Sequence, residues 1–153
     1  MITTYGLLKF LHVLSVIIWV GGNTTLSIVG ARFARKSDPN ALQGYAEQSR
    51  FYGSVVVGSA AFVTLAAGIA MVVVSGMEFE MLWLQWGFWA ILVSMALGGT
   101  LIRSTTNRIQ RALTTDASLK PSLPALQWRL TTLNAVNLLL LFSAVAAMVL
   151  KPV

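Results

Sequence analysis

The stretch FLHVLSVIIWVGGNTTLSIVGA, Phe10–Ala31, runs for 22 residues without a carboxylate, lysine or arginine. The hydrocarbon core of a bilayer takes about 20 helical residues to cross. A chain inside it must satisfy its own backbone N–H and C=O groups, which a helix does. The stretch therefore reads as a transmembrane helix. Three more uncharged runs follow, Phe51–Met77, Met81–Ile102 and Leu130–Leu150. Together they predict an all-α integral membrane protein: an antiparallel four-helix bundle, one transmembrane domain over residues 1–153, with helices at about 4–35, 39–76, 80–115 and 124–151.

The composition points the same way. The chain is 56% hydrophobic and 10% charged, against about 25% charged residues in a soluble domain. Four spans leave no length for a separate soluble domain. The first run is too long for a signal-peptide core, has no basic segment before it and lacks a small-x-small cleavage site, so it is expected to stay in the mature protein. The absence of cysteine excludes disulfides, thiolate metal sites and thiol nucleophiles.

The net charge is +6, and its placement matters more than its size. Arg32, Arg35, Lys36 and Arg50 fall in the first connection, and Arg103, Arg108, Arg111, Lys120 and Arg129 in or beside the third. The second connection carries only Glu78 and Glu80. Nine of the eleven basic residues thus share one face, which the positive-inside rule assigns to the cytoplasm of a bacterial inner membrane, with both termini outside. A basic rim on anionic lipid explains the charge without a nucleic-acid partner. Asp38-Pro39 reads as a helix start, with aspartate as N-cap and proline in the first turn. Asp116–Pro121 reads as a turn-rich linker. Trp83, Trp86, Trp89 and Trp128 stand near span ends, as interfacial anchors do. Ser54 with Gly58, Gly21-Gly22, Ala67-Gly68 and Gly98-Gly99 are expected packing seams, within the bundle or between protomers.

At about 100° per residue, Tyr5, Lys9, His12, Ser15, Trp19, Asn23, Ser27 and Gly30 fall within about 60° of one direction on the first helix. A lipid-facing surface would not gather these groups, so the stripe is expected to face the bundle interior or a partner. On the fourth helix Thr131, Asn134, Asn137 and Met148 share a face, the two asparagines placed to bond across helices. Ionisable and polar groups within a membrane are functional candidates by default, and His12 is the one histidine of the chain. It lies roughly 8–10 Å inside the outer edge, at about 1.5 Å per residue. Met71 and Met148 belong to the same outer layer, as do Met1, Met77 and Met81, while Met95 lies deeper. Imidazole suits iron and copper, and thioether suits Cu(I) or an axial haem position. A hydrogen-bonded structural histidine and methionine as core filler are the plain alternatives. Lys9 is placed either to snorkel to headgroups or to neutralise an acidic cofactor group.

Leu11-His-Val-Leu-Ser-Val-Ile-Ile-Trp-Val-Gly-Gly22 resembles the first-helix signature of the superfamily that includes copper-resistance protein D and HemJ-type protoporphyrinogen oxidase. Ala67-Gly-Ile-Ala-Met71, Leu82-Trp83-Leu84 and Met148-Val-Leu-Lys-Pro152 resemble an uncharacterised bacterial integral-membrane family within it. The HemJ-type resemblance implies haem b, with His12 as axial ligand, Met71 or Met148 as the second and Lys9 beside a propionate, in a membrane oxidoreductase or quinone-linked redox protein. The copper-resistance resemblance implies copper binding or transport through His12, Met71 and Met148. That relative has twice as many helices, so a homodimer is the expected state, restoring two histidines. A third possibility is a non-catalytic assembly or lipid-binding subunit in which Ser15, Trp19, Asn23, Asn134 and Asn137 only form the polar interior.

Overall fold

The computed structural model describes residues 3–36, 39–114 and 117–151, and all regular structure among them is helical. Four rods, Thr4–Phe33, Gln43–Ser75, Leu82–Thr114 and Lys120–Leu150, are long and apolar enough to cross a membrane. Helix α1 (Thr4–Lys36) makes the first. The second is α2 (Pro39–Tyr52) and α3 (Gly58–Ser75), joined by a π-helical segment, Gly53–Val57. The third is α4 (Leu82–Ala96) and α5 (Arg103–Thr114), joined by a π-helical segment, Leu97–Ile102. A 3-10 turn, Ala117–Ser122, leads into α6 (Leu123–Leu150). The expected capping residue Asp38, the linker residue Asp116, Met1 and Pro152 lie outside the described residues.

Local chemistry sets the ends. Helix α2 begins on Pro39, whose ring fixes φ at a helical value. Helix α3 stops at Gly76, which takes φ +67°, a left-handed turn that glycine makes at no steric cost. The chain re-enters the bundle at once, with the amides of Leu84 and Gln85 donating to the Met81 carbonyl at 3.0 and 3.1 Å. Pro124 stands in the first turn of α6.

Helix α1 packs on α3 and on α6, and α4 packs on α6 and on α3, with α2 against α5 nearer the basic end. The backbones of the diagonal pairs α1–α4 and α3–α6 do not approach closely among the described residues, so the rods stand in ring order, up-down-up-down. Large apolar side chains such as Phe10, Ile17, Phe62, Leu139 and Val149 point outward, while Ala60, Ala61, Ala67, Ala90 and Ala144 are buried. This arrangement suits a lipid solvent, in which helices associate through small residues at close approach. The protein is an integral membrane four-helix bundle.

Glycines on one rod receive bulky side chains from the next. Gly22 lies under Val57 and Tyr52, Gly30 under the Tyr45 ring, Gly68 under His12 and Gly87 under the Met148 methyl. Tyr45 also donates to the Leu26 carbonyl at 2.6 Å and stacks on Phe33 at 5.6 Å, clamping α2 to α1. Trp86 does more than anchor: its indole donates to Ser143 Oγ at 3.1 Å, from α4 to α6. Trp128, 75% exposed, has the anchor's position. Gly21, Gly98 and Gly99, by contrast, have open space where a Cβ would stand. The expected seam at Gly98-Gly99 is therefore not a packed contact within the chain.

The two π segments share local features. Ser54 and Thr100 return their hydroxyls to the carbonyls of Arg50 and Ala96, four residues back. Such back-bonding competes with the helical amide for the carbonyl and loosens the turn. The adjacent glycines Gly53, Gly58, Gly98 and Gly99 offer little side-chain packing to hold it tight.

The paired glycines of α1 give opposite expectations. Gly22→Ala drives a methyl into Val57, a stiff β-branched side chain, and overpacking of this kind costs about 1–3 kcal/mol. Gly21→Ala meets nothing and gains helix propensity. The unfolding midpoint in detergent falls for the first variant and holds or rises for the second.

Candidate functional site

The α1 stripe turns inward as far as its neighbours reach. Ser15 and Trp19 are buried, and Tyr5, His12, Asn23, Ser27 and Gly30 are half-buried, but Lys9 is exposed near the helix start. His12 Nδ1 lies 2.9 Å from the Thr64 carbonyl on α3. A carbonyl only accepts, so Nδ1 carries the proton and Nε2 keeps its lone pair. The ring edge rests on Gly68, with Cε1 and Nδ1 at 3.3 and 3.4 Å from a Cβ built there. A histidine that donates one ring N–H to a carbonyl while presenting the other nitrogen has the orientation of a metal ligand. The same bond also satisfies a structural histidine. Ser15 bonds only its own helix, at the carbonyls of Leu11 and His12.

The methionines divide between two seams. Met71 is half-buried on α3, one turn beyond Gly68 and on the same helix face. Met148 sits on Gly87, between α6 and α4. His12 and Met71 thus share the α1–α3 seam, and Met148 belongs to another. No group of three His, Cys, Asp or Glu side chains exists among the described residues, and neither principal cavity is lined by His12. As a haem site within one chain, these residues fit one axial position and do not enclose a porphyrin.

A second polar constellation is built toward the basic end. Ser94 of α4 donates to Asn137 Oδ1 at 2.6 Å. Asn137 Nδ2 reaches Asn23 Oδ1 at 3.5 Å, and Asn23 Nδ2 donates to the Trp19 carbonyl at 2.9 Å. The chain of bonds joins α4, α6 and α1, with Asn137 only 3% exposed. Beside it lies a cavity of about 370 Å³, walled by Trp19, Asn23, Ser94 and Asn137 on the bundle side and by Gly53, Gly58, Gly98 and Gly99 on the other. Asn134 separates it from a smaller apolar cavity of about 230 Å³ under Tyr45.

Two donors at this cavity are unused. Among the described residues Asn134 makes no side-chain hydrogen bond and the Trp19 indole N–H finds no acceptor, although Trp19 is only 5% exposed. Every sealed side-chain nitrogen or oxygen among the described residues is partnered. The Trp19 N–H is therefore not sealed, and the residue lines the cavity. Sequence periodicity places Trp19, Asn23, Asn134 and Asn137 inside but misses Ser94, Arg50 and Arg103, which also border the cavity. Ser94 carries a readable signal, as the one serine in the Met81–Ile102 run. The two arginines flank the π segments, and the charge rule had already absorbed them as topology signals.

Residues 6–152 match a family model described as "Predicted integral membrane protein (DUF2269)". No curated protein and no solved structure matches the chain. With almost its whole length matched, the chain belongs to this DUF2269 family of integral membrane proteins.

Proposed function

We propose that the protein is a membrane-embedded binding protein that receives the polar end of an amphiphile in the cavity beside Trp19. The observation that carries this reading is the cavity itself, walled by the Ser94–Asn137–Asn23 network and by Trp19, whose indole N–H has no acceptor among the described residues. A donor without a partner is unfavourable in an apolar surrounding, so an acceptor from outside the chain would belong there. Asn134 adds a second free donor. The cavity, at about 370 Å³, falls within the roughly 300–1,000 Å³ of small-molecule sites. A lipid ester and a quinone carbonyl both offer the required acceptor. The basic end is cytoplasmic in this reading, by the positive-inside rule, in a bacterial inner membrane.

Native mass spectrometry from mild detergent tests the reading. One amphiphile per chain is expected on the wild-type protein and is lost from the Trp19→Phe, Asn134→Leu double variant. A bare mass, with no thermal stabilisation by added phospholipid or quinone, would overturn it and leave a water-filled cavity.

A second reading rests on His12. Its Nε2 has the tautomer and freedom of an axial ligand, and the HemJ-type resemblance supports haem b. Met71, on the same seam, is then favoured over Met148 as the partner ligand, with Lys9 near a propionate. The haem would supply a one-electron store to a quinone or redox partner. Purified after haem-supplemented expression, the protein would show a Soret band and sharp bands on dithionite reduction, lost in His12→Ala and shifted in Met71→Ala. A colourless protein would end this reading, and copper found by metal analysis of that sample would favour the copper alternative through the same histidine.

A further inference from the structure

The second and third rods touch near both ends, α3 against α4 and α2 against α5. Between these contacts the two rods stand apart: the backbone of Gly53–Val57 does not come close to the third rod, nor that of Leu97–Ile102 to the second, among the described residues. Gly58, Gly98 and Gly99 border the opening, and a Cβ at Gly98 or Gly99 meets no atom within 4 Å. Both segments lie in the uncharged part of their spans, so the opening faces hydrocarbon. Behind it is the cavity with the free Trp19 and Asn134 donors.

Two cations stand at its basic edge. Arg50 lies one turn before the first π segment and Arg103 directly after the second. Both border the cavity, both are exposed, and neither forms an ion pair among the described residues. An arginine pair without carboxylates matches a phosphate, whose oxygens accept from the guanidinium fork. A phospholipid orders its chemistry along the membrane normal in the same sequence as this wall: phosphate outermost, ester carbonyls beneath, acyl chains in the hydrocarbon. The free donor Asn134 lies on the hydrocarbon side of the arginines, where the carbonyls would be, and Trp19 lies deeper, at the level of the acyl chains.

We infer that the gap between the two π segments is a lateral entrance from the leaflet at the basic end, and that its occupant is an anionic membrane phospholipid. Arg50 and Arg103 hold the phosphate, Asn134 meets the ester region, and the acyl chains pass the level of Trp19 and leave through the glycine-bordered gap. This rests on the amphiphile reading above and adds the headgroup and the route.

The test uses the full chain in detergent with phosphatidylglycerol and phosphatidylcholine of equal chain length, read by native mass spectrometry and by thermal midpoint. Phosphatidylglycerol is expected to be retained preferentially, with retention falling about fivefold for each of Arg50→Gln and Arg103→Gln and largely restored by the lysine variants. Gly98→Leu starts from a Cβ position with no atom within 4 Å, extends into the gap and should abolish retention of either lipid. Gly99→Leu serves if Gly98→Leu fails to fold, and Gly21→Leu, also on open space, should change nothing. Equal retention of the two lipids, indifferent to both arginines, would overturn the headgroup assignment while leaving the amphiphile reading intact. Undiminished retention in folded glycine variants would overturn the entrance. Displacement of the lipid by millimolar glycerophosphate would show that the arginines serve a soluble phosphate instead. A wild-type chain that keeps no amphiphile of any kind fails the underlying reading itself.

Discussion

Helices in lipid gain nothing from hiding apolar surface against one another, because the acyl chains are as apolar as leucine. They are held by close approach and by polar contacts with no competing water, and every packed seam of this protein follows from that constraint. Four glycines each receive a bulky side chain from another rod: Tyr52 on Gly22, Tyr45 on Gly30, His12 on Gly68 and Met148 on Gly87. Asn137 then ties α4 to α1 through Ser94 and Asn23. Interhelical hydrogen bonds in membranes average about 0.6 kcal/mol, so dispersion over these seams carries more of the assembly. The polar links choose its register.

The same constraint makes an unpacked glycine informative. In a helix interior glycine costs about 1 kcal/mol relative to alanine, and a bundle recovers that cost only where a neighbour comes close. Gly22 and Gly68 recover it. Gly98 and Gly99 have nothing over them, and they lie in one of two loosened turns that face an opening. A chain that keeps small residues there gives up packing along the wall between its second and third rods. A Cβ would fit at either glycine without meeting an atom, and π-helical turns recur at functional sites.

Much of this architecture can be read from the residues alone, because the bilayer admits so few solutions. Uncharged runs of bilayer width define the four rods, and the stripe through His12, Trp19 and Asn23 does turn inward. Lys9 departs from it because periodicity gives a direction and says nothing about where a neighbouring helix ends. Met148 shows a second limit. Its face on α6 is correct, but the seam it joins depends on the ring order of the rods, which no single-helix pattern encodes, and it meets Gly87 rather than His12. Glycine pairs show a third. Gly68 and Gly98 look alike in sequence, and only the neighbour decides which is packed. Arg50 and Arg103 satisfied the charge rule so completely that nothing in the sequence prompted a second question about them.

His12 and Trp19 stand two turns apart on one stripe, roughly 10 Å along the helix at 1.5 Å per residue. Their hydrogen-bond accounts differ. The histidine has a carbonyl for its donor nitrogen and a glycine beneath its ring, and its free Nε2 is an acceptor, whose lone pair is tolerable without a partner at a half-exposed position. The tryptophan is more deeply buried and its free group is a donor, for which the described residues provide no acceptor. Its carbonyl is already committed to Asn23, which fixes the backbone and ties it to the Asn137 network. A donor held this firmly, beside a cavity and without an acceptor among the described residues, is what the proposed amphiphile would satisfy. That proposal concerns the wall between the second and third rods, and the histidine seam is a separate question with its own spectroscopic answer.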